Sequence, residues 1–169
     1  MIVELPTPGD TFELGRVLGG VLEAGDLVLL TGPLGAGKTV LAQGIGAGLG
    51  VTGPVVSPTF VIARVHRGGR LPLVHVDAYR LGSVAEVDDL DLDADLADSA
   101  LVVEWGGGLV EQLADAHLAV RLDRSAADDR RTAVLVPSGG TWVERAAAVV
   151  RAVAPAMAPA GRRPAADNG

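Results

Sequence analysis

Along this chain apolar residues recur either at the three-to-four residue rhythm of a helix or in short unbroken runs, and the switches between the two mark out its elements. Leu14, Val17, Leu18, Val21 and Leu22 fall at helical spacing. Thr7-Pro8-Gly9-Asp10 ahead of them reads as a helix start: Thr7 to cap free N–H groups, Pro8 in the first turn, Asp10 against the positive end of the dipole. Gly25 is the expected stop. Leu27-Val28-Leu29-Leu30 is apolar on both faces, as a strand inside a parallel sheet must be. A second helix is predicted beyond it from Leu41, Ile45 and Leu49.

Val55 to Val65 reads as extended but broken by Pro58. Leu73-Val74-His75-Val76-Asp77 and Leu101-Val102-Val103-Glu104 each read as an apolar strand ending in a carboxylate. Glu86 to Asp98 is acidic without a basic residue; its leucines leave helix or loop open, and a solvated face is the favoured reading. Ala119 to Asp123 and Thr132 to Val136 are expected to form a late strand pair, and Thr141 to Val153 a closing helix. From residue 154 on, Ala, Pro, Gly and Arg follow without periodicity, so 1–153 is expected to be one domain and 154–169 a disordered Ala/Pro-rich tail.

Composition narrows this picture. A length of 169 residues suits a single core, and a hydrophobic fraction of 49% with only 3% aromatics suits Val-rich strands under Ala-rich helices, an α/β fold. The absence of cysteine excludes disulfides, thiolate metal sites and cysteine nucleophiles, and fits a reducing compartment. Met1-Ile2-Val3-Glu4 has no basic or long apolar leader, and glycines and prolines interrupt the uncharged stretch 39–63, so a soluble, cytoplasmic protein without a membrane span is expected. A net charge of −7 disfavours stand-alone nucleic-acid binding: no direct DNA contact is expected, and RNA only through a partner.

Gly32-Pro33-Leu34-Gly35-Ala36-Gly37-Lys38-Thr39 matches G-x-x-x-x-G-K-[ST] and lies between a buried strand and a helix, the setting this loop requires. Its main-chain N–H groups, with the positive end of the following helix, suit a β-phosphate; Lys38 reaches the β and γ oxygens, and the Thr39 hydroxyl ligates Mg²⁺. The binding stretch is taken as Gly32, Leu34, Gly35, Ala36, Gly37, Lys38, Thr39 and Val40. Lys38 is the chain's single lysine among 14 basic residues, and a compact ammonium fits among phosphate oxygens where a planar guanidinium does not. The expected architecture is therefore of the P-loop NTPase type, a mainly parallel sheet flanked by helices with the late strands antiparallel.

A P-loop needs a further carboxylate near its metal. Asp77 is assigned to magnesium and Glu104 to orienting the attacking water, with the two roles open to exchange, because parallel strands bring such ends to one edge of the sheet. Thr59, in Ser57-Pro58-Thr59-Phe60, lies where nucleotide switch segments sit. His75 alternates into a strand interior and reads as a core histidine, and no arginine stands out as a finger, although Arg80 is close in sequence. Guanine readers commonly carry Asn-Lys-x-Asp; here the only asparagine is Asn168, so ATP is favoured by elimination.

The loop in its Gly-x-Leu-Gly-Ala-Gly-Lys-Thr form, Ser57-Pro58-Thr59-Phe60, His75-Val76-Asp77-Ala78-Tyr79-Arg80-Leu81 and Val103-Glu104-Trp105, in that order, resemble the TsaE (YjeE) ATPases of bacterial threonylcarbamoyladenosine synthesis. The resemblance runs from about Thr7 to Leu122. It implies a small ATPase, slow alone, that docks on the TsaB and TsaD proteins and uses Mg-ATP to keep them turning over while TsaD modifies the tRNA adenosine beside the anticodon. By the same resemblance Lys38 and Thr39 hold phosphate and metal, Asp77 completes the magnesium site, and Glu104 and Trp105 contribute to hydrolysis. Gly106 stands where the family often has proline, and Ala78 where it often has leucine. A small-molecule kinase on the same scaffold, or a nucleotide-dependent interaction module, are the rival readings.

Overall fold

The computed structural model describes residues 1–58, 63–80, 97–105, 108, 110–125 and 130–154. Thr59 and Phe60, almost all of the acidic stretch, Gly106, the side chain of Arg80 and the tail from 155 lie outside the described residues. The strands are β1 (Ile2–Leu5), β2 (Leu27–Thr31), β3 (Ala63–His66), β4 (Leu73–Asp77), β5 (Ala100–Glu104), β6 (His117–Arg124) and β7 (Arg131–Ser138). Three helices accompany them among the described residues: α1 (Pro8–Val21), α2 (Lys38–Leu49) and α3 (Trp142–Val153).

The seven strands form one sheet in the order β1-β7-β6-β2-β5-β4-β3. Its centre, β6-β2-β5-β4, is parallel, and the ladders β1–β7, β7–β6 and β3–β4 are antiparallel. The expected mainly parallel sheet and late antiparallel pair are both present. β2 lies at the middle and is buried on both faces from Leu27 to Leu30, which explains its unbroken apolar run. β1 went unrecognised in the sequence because its pattern is a short alternation, with Val3 and Leu5 buried and Ile2 and Glu4 exposed.

All three helices pack on one face, where Leu14, Leu18, Leu41, Ile45, Trp142 and Val149 share a core with Val28, Leu30, Val102 and Val120 of the strands. The opposite face carries a smaller cluster of Leu27, Leu29, Val74, Val76, Leu101 and Val103 with Val110. α1 starts as expected: the Asp10 amide donates to Thr7 Oγ1 at 3.2 Å and the Thr7 amide to Asp10 Oδ2 at 2.8 Å, a reciprocal cap. It ends at Val21 rather than Gly25, because arginines satisfy its last carbonyls. Arg70 donates to Gly19 O and Leu22 O at 2.7 and 2.6 Å, and Arg145, itself paired with Asp26, donates to Val21 O at 2.7 Å. Gly25, at φ 88°, turns the chain into β2 instead.

α1 and α2 meet backbone to backbone. A methyl group on Gly15 or Gly19 would lie 2.2 or 2.3 Å from the carbonyl oxygens of Leu41 and Ile45, and one on Gly44 or Gly48 would lie 2.1 Å from those of Phe12 and Arg16. Only glycine permits this approach, which sets the position of α2, the helix that follows the Gly32-to-Gly37 loop.

Candidate nucleotide site

The parallel strands β2, β4 and β5 end level with one another, Asp77 being in register with Glu104 and Glu104 with Leu30. Alternation along β4 puts His75 and Asp77 on the face of Leu73, and along β5 it puts Glu104 on the face of Val102; this is the face α2 covers. The segment after β2 returns over that edge and enters α2 at Lys38, so loop, helix start and both carboxylates converge.

The loop's shape requires its glycines. Gly32, Gly35 and Gly37 have φ of 137°, 79° and 107°, and a methyl group on Gly32 would meet Leu122 O at 2.1 Å. The Lys38 ammonium folds back into the loop, donating to Gly32 O at 2.8 Å and Pro33 O at 3.0 Å, and the residue as a whole is only 5% exposed. Burial lowers its pKa, while Glu104 and Asp77 pull it back upward. Trp105 lies over it, with Nζ 3.8 Å from the ring centroid.

Trp105 is the one non-glycine described residue with positive φ, at 64°. A bulky residue in the left-handed region carries strain of about 1–3 kcal/mol. Its amide donates to Leu30 O at 3.0 Å and its ring meets Tyr79 edge-on at 5.5 Å, and these contacts hold the indole above the ammonium.

The Thr39 hydroxyl donates to Glu104, 3.2 Å from Oε1 and 3.5 Å from Oε2. Glu104 is 3% exposed, and its Oε1 also lies 2.9 Å from Nε2 of the fully buried His75. Asp77 accepts from the Tyr79 amide at 3.1 Å through Oδ1. Thr39, Asp77 and Glu104 offer only oxygen donors, a set suited to a hard divalent cation that shares its coordination with phosphate and water.

These groups line one cleft of about 410 Å³. Of the residues expected at the site, Leu34, Gly35, Gly37, Lys38, Thr39 and Val40 line it, and so do Asp77, Glu104 and Trp105. Gly32 stands behind Lys38, and the side chain of Ala36 is turned into the core, leaving its backbone to the loop. Ser57 also lines the cleft, whereas Thr59 is outside the described residues.

Two participants were not assigned to the site from the sequence. His75 is a core histidine by burial, yet it is bonded to the site carboxylate. Arg131, on β7, lines the cleft, and its Nε would be 3.4 Å from a methyl group on Gly37. Among so many arginines only the β6–β7 pairing, which sets Arg124 opposite Arg131, could have pointed to it.

Residues 5–133 match the family model described as threonylcarbamoyl adenosine biosynthesis protein TsaE. The chain belongs to the TsaE family. It is 57% identical over 136 residues to the tRNA threonylcarbamoyladenosine biosynthesis protein TsaE of Streptomyces coelicolor, covering 77% of this chain and 92% of that one. It is 54% identical over 138 residues to TsaE of Mycobacterium tuberculosis, covering 76% and 82% respectively. The crystal structure of Bacillus subtilis YdiB superposes with a TM-score of 0.74 at 28% identity, over 90% of this chain and 95% of that one. The matched span takes in every segment on which the resemblance rested, from Gly32–Thr39 through Glu104-Trp105. No described helix is long and apolar enough to cross a membrane.

Proposed function

We propose that this chain binds and slowly hydrolyses Mg-ATP in the cytoplasm, as an accessory subunit in forming N6-threonylcarbamoyladenosine next to the anticodon of tRNAs. In this reading TsaB and TsaD are its protein partners, and tRNA is met only through them. The observation that carries it is the single lysine, folded into a glycine loop of positive φ at the start of α2, with the Glu104 carboxylate, 65 residues on from Thr39, brought to the hydroxyl of that next position.

Phosphate oxygens would take over the contacts that Lys38 now makes with Gly32 O and Pro33 O, while the amides at the start of α2 face the β-phosphate. Magnesium, when bound, neutralises charge on the β and γ phosphates. Thr39 would hold it, with Asp77 and Glu104 as the acidic neighbours. The hydrogen bond from Thr39 supports placing Glu104 nearer the metal, the exchanged form of the assignment that strand ends and the family resemblance gave. Asp77, on the adjoining strand, would then hold coordinated or attacking water.

Calorimetry with Mg-ATP, followed by phosphate-release assays with and without TsaB and TsaD, tests this reading. Saturable binding, slow turnover alone and stimulation by the pair are expected. A folded chain that takes up no nucleotide, or one that rapidly phosphorylates a metabolite, would defeat it.

A further inference from the structure

His75 is fully buried among apolar strands, in a position where an unpaired imidazole costs free energy that a leucine would not. One ring nitrogen is engaged: Nε2 lies 2.9 Å from Glu104 Oε1. Glu104 already accepts from the Thr39 hydroxyl through the same oxygen at 3.2 Å. An ionised carboxylate only accepts, so with Glu104 in that form Nε2 carries the hydrogen and donates. Nδ1 has no hydrogen-bond partner among the described residues, so the ring's one polar contact there is the one to Glu104.

The strand register sets this contact. His75 is in register with Val102 on β5, one same-face step below the Asp77–Glu104 pair, so the imidazole supports the glutamate from beneath. Of the two strand-end carboxylates, Glu104 is thus held by both a histidine and the Thr39 hydroxyl, while Asp77 is only half-buried and accepts from the chain that follows it.

We propose that His75 is a positioning residue: its Nε2–H fixes the Glu104 carboxylate against the Thr39 hydroxyl, setting the orientation in which that pair serves bound nucleotide and metal. This rests on the ATPase reading above. Partners that orient a metal-site ligand in this way typically matter by about 10–100-fold in metal affinity or activity.

The test compares His75→Phe, which keeps a ring but loses the donor, with His75→Gln, which places an amide N–H near the former Nε2. Binding of a fluorescent ATP analogue is measured across a Mg²⁺ titration, together with hydrolysis, each in the wild-type and Glu104→Gln backgrounds. His75→Phe is expected to leave metal-free nucleotide affinity within about threefold, while raising the Mg²⁺ requirement and lowering hydrolysis about tenfold or more. His75→Gln should recover most of that loss, and in Glu104→Gln the His75→Phe change should add little.

An unchanged Mg²⁺ titration and rate in His75→Phe would overturn the inference while leaving the ATPase reading intact. So would equal losses in the Phe and Gln variants, or losses that simply add to those of Glu104→Gln. A wild-type chain without nucleotide binding would instead overturn the functional reading and this role with it.

Discussion

Thr39 and Glu104, 65 positions apart, meet at the head of the sheet with the threonine hydroxyl 3.2 Å from Glu104 Oε1. The contact joins the first turn of α2 to the end of β5 at the place where a P-loop holds its metal. Glu104→Gln should therefore raise the Mg²⁺ concentration needed for nucleotide binding by about tenfold or more, and Asp77→Asn by less. Mg²⁺ titrations of binding in the two variants measure this directly. The reverse ranking would return the metal to Asp77.

Trp105 supplies a built-in reporter. The chain has two tryptophans, and the other, Trp142, is 1% exposed in the helix-side core. A phosphate drawing Lys38 away from its loop carbonyls must alter the ammonium 3.8 Å from the indole ring. Adding Mg-ATP should change tryptophan emission, and Trp105→Phe should abolish that change while Trp142 emission remains. A response that persists in Trp105→Phe would mean the signal originates elsewhere than at this cation–ring contact.

The parts of this site that were legible in the sequence are those where local pattern and chemistry coincide. The phosphate loop can be read because its glycines answer to backbone angles, as at Gly37 with φ 107°, and the carboxylate ends because an apolar run stopping at Asp77 or Glu104 marks a strand edge. β2, β4 and β5 followed from the same runs. The contacts that refine the chemistry are set by pairing between distant segments. Nothing local tells that His75 faces Glu104 or that Arg131 returns beside Gly37; both follow from strand order and register. Likewise α1 stops before its glycine because Arg70 and Arg145, far along the chain, satisfy its carbonyls.

The glycine seam between α1 and α2 predicts a reversal of ordinary helix propensity. Alanine is the better helix former by about 1 kcal/mol. Gly20→Ala, where nothing lies within 4 Å, should accordingly stabilise the chain by about 0.5–1 kcal/mol. Gly48→Ala would drive a methyl group to 2.1 Å from Arg16 O, and should cost about 1–3 kcal/mol through helix separation, loosening the start of α2 as well. Urea unfolding of the two variants provides the comparison, and a stabilising Gly48→Ala would show that the helices are not in backbone contact.

His66 gives the fold a pH dependence of definite sign. It is 7% exposed, its Nε2 has no hydrogen-bond partner among the described residues, and its ring centre lies 6.4 Å from that of His75. Burial holds its pKa below the ordinary 6.5, with His75 and Arg64 adding to the effect. The unfolded chain therefore takes up a proton near pH 6.5 while the folded chain still refuses one. Stability is unaffected by this group above that pH, and falls as pH drops below it, until the folded-state value is reached. Replacing the imidazole by an apolar side chain removes the linkage, so the difference in unfolding free energy between wild type and His66→Leu should be constant above about pH 7 and shift in favour of the variant from pH 6.5 downward. Denaturant midpoints across that range measure the shift; parallel curves for the two proteins would mean that His66 is protonated as readily in the folded state as in the unfolded one.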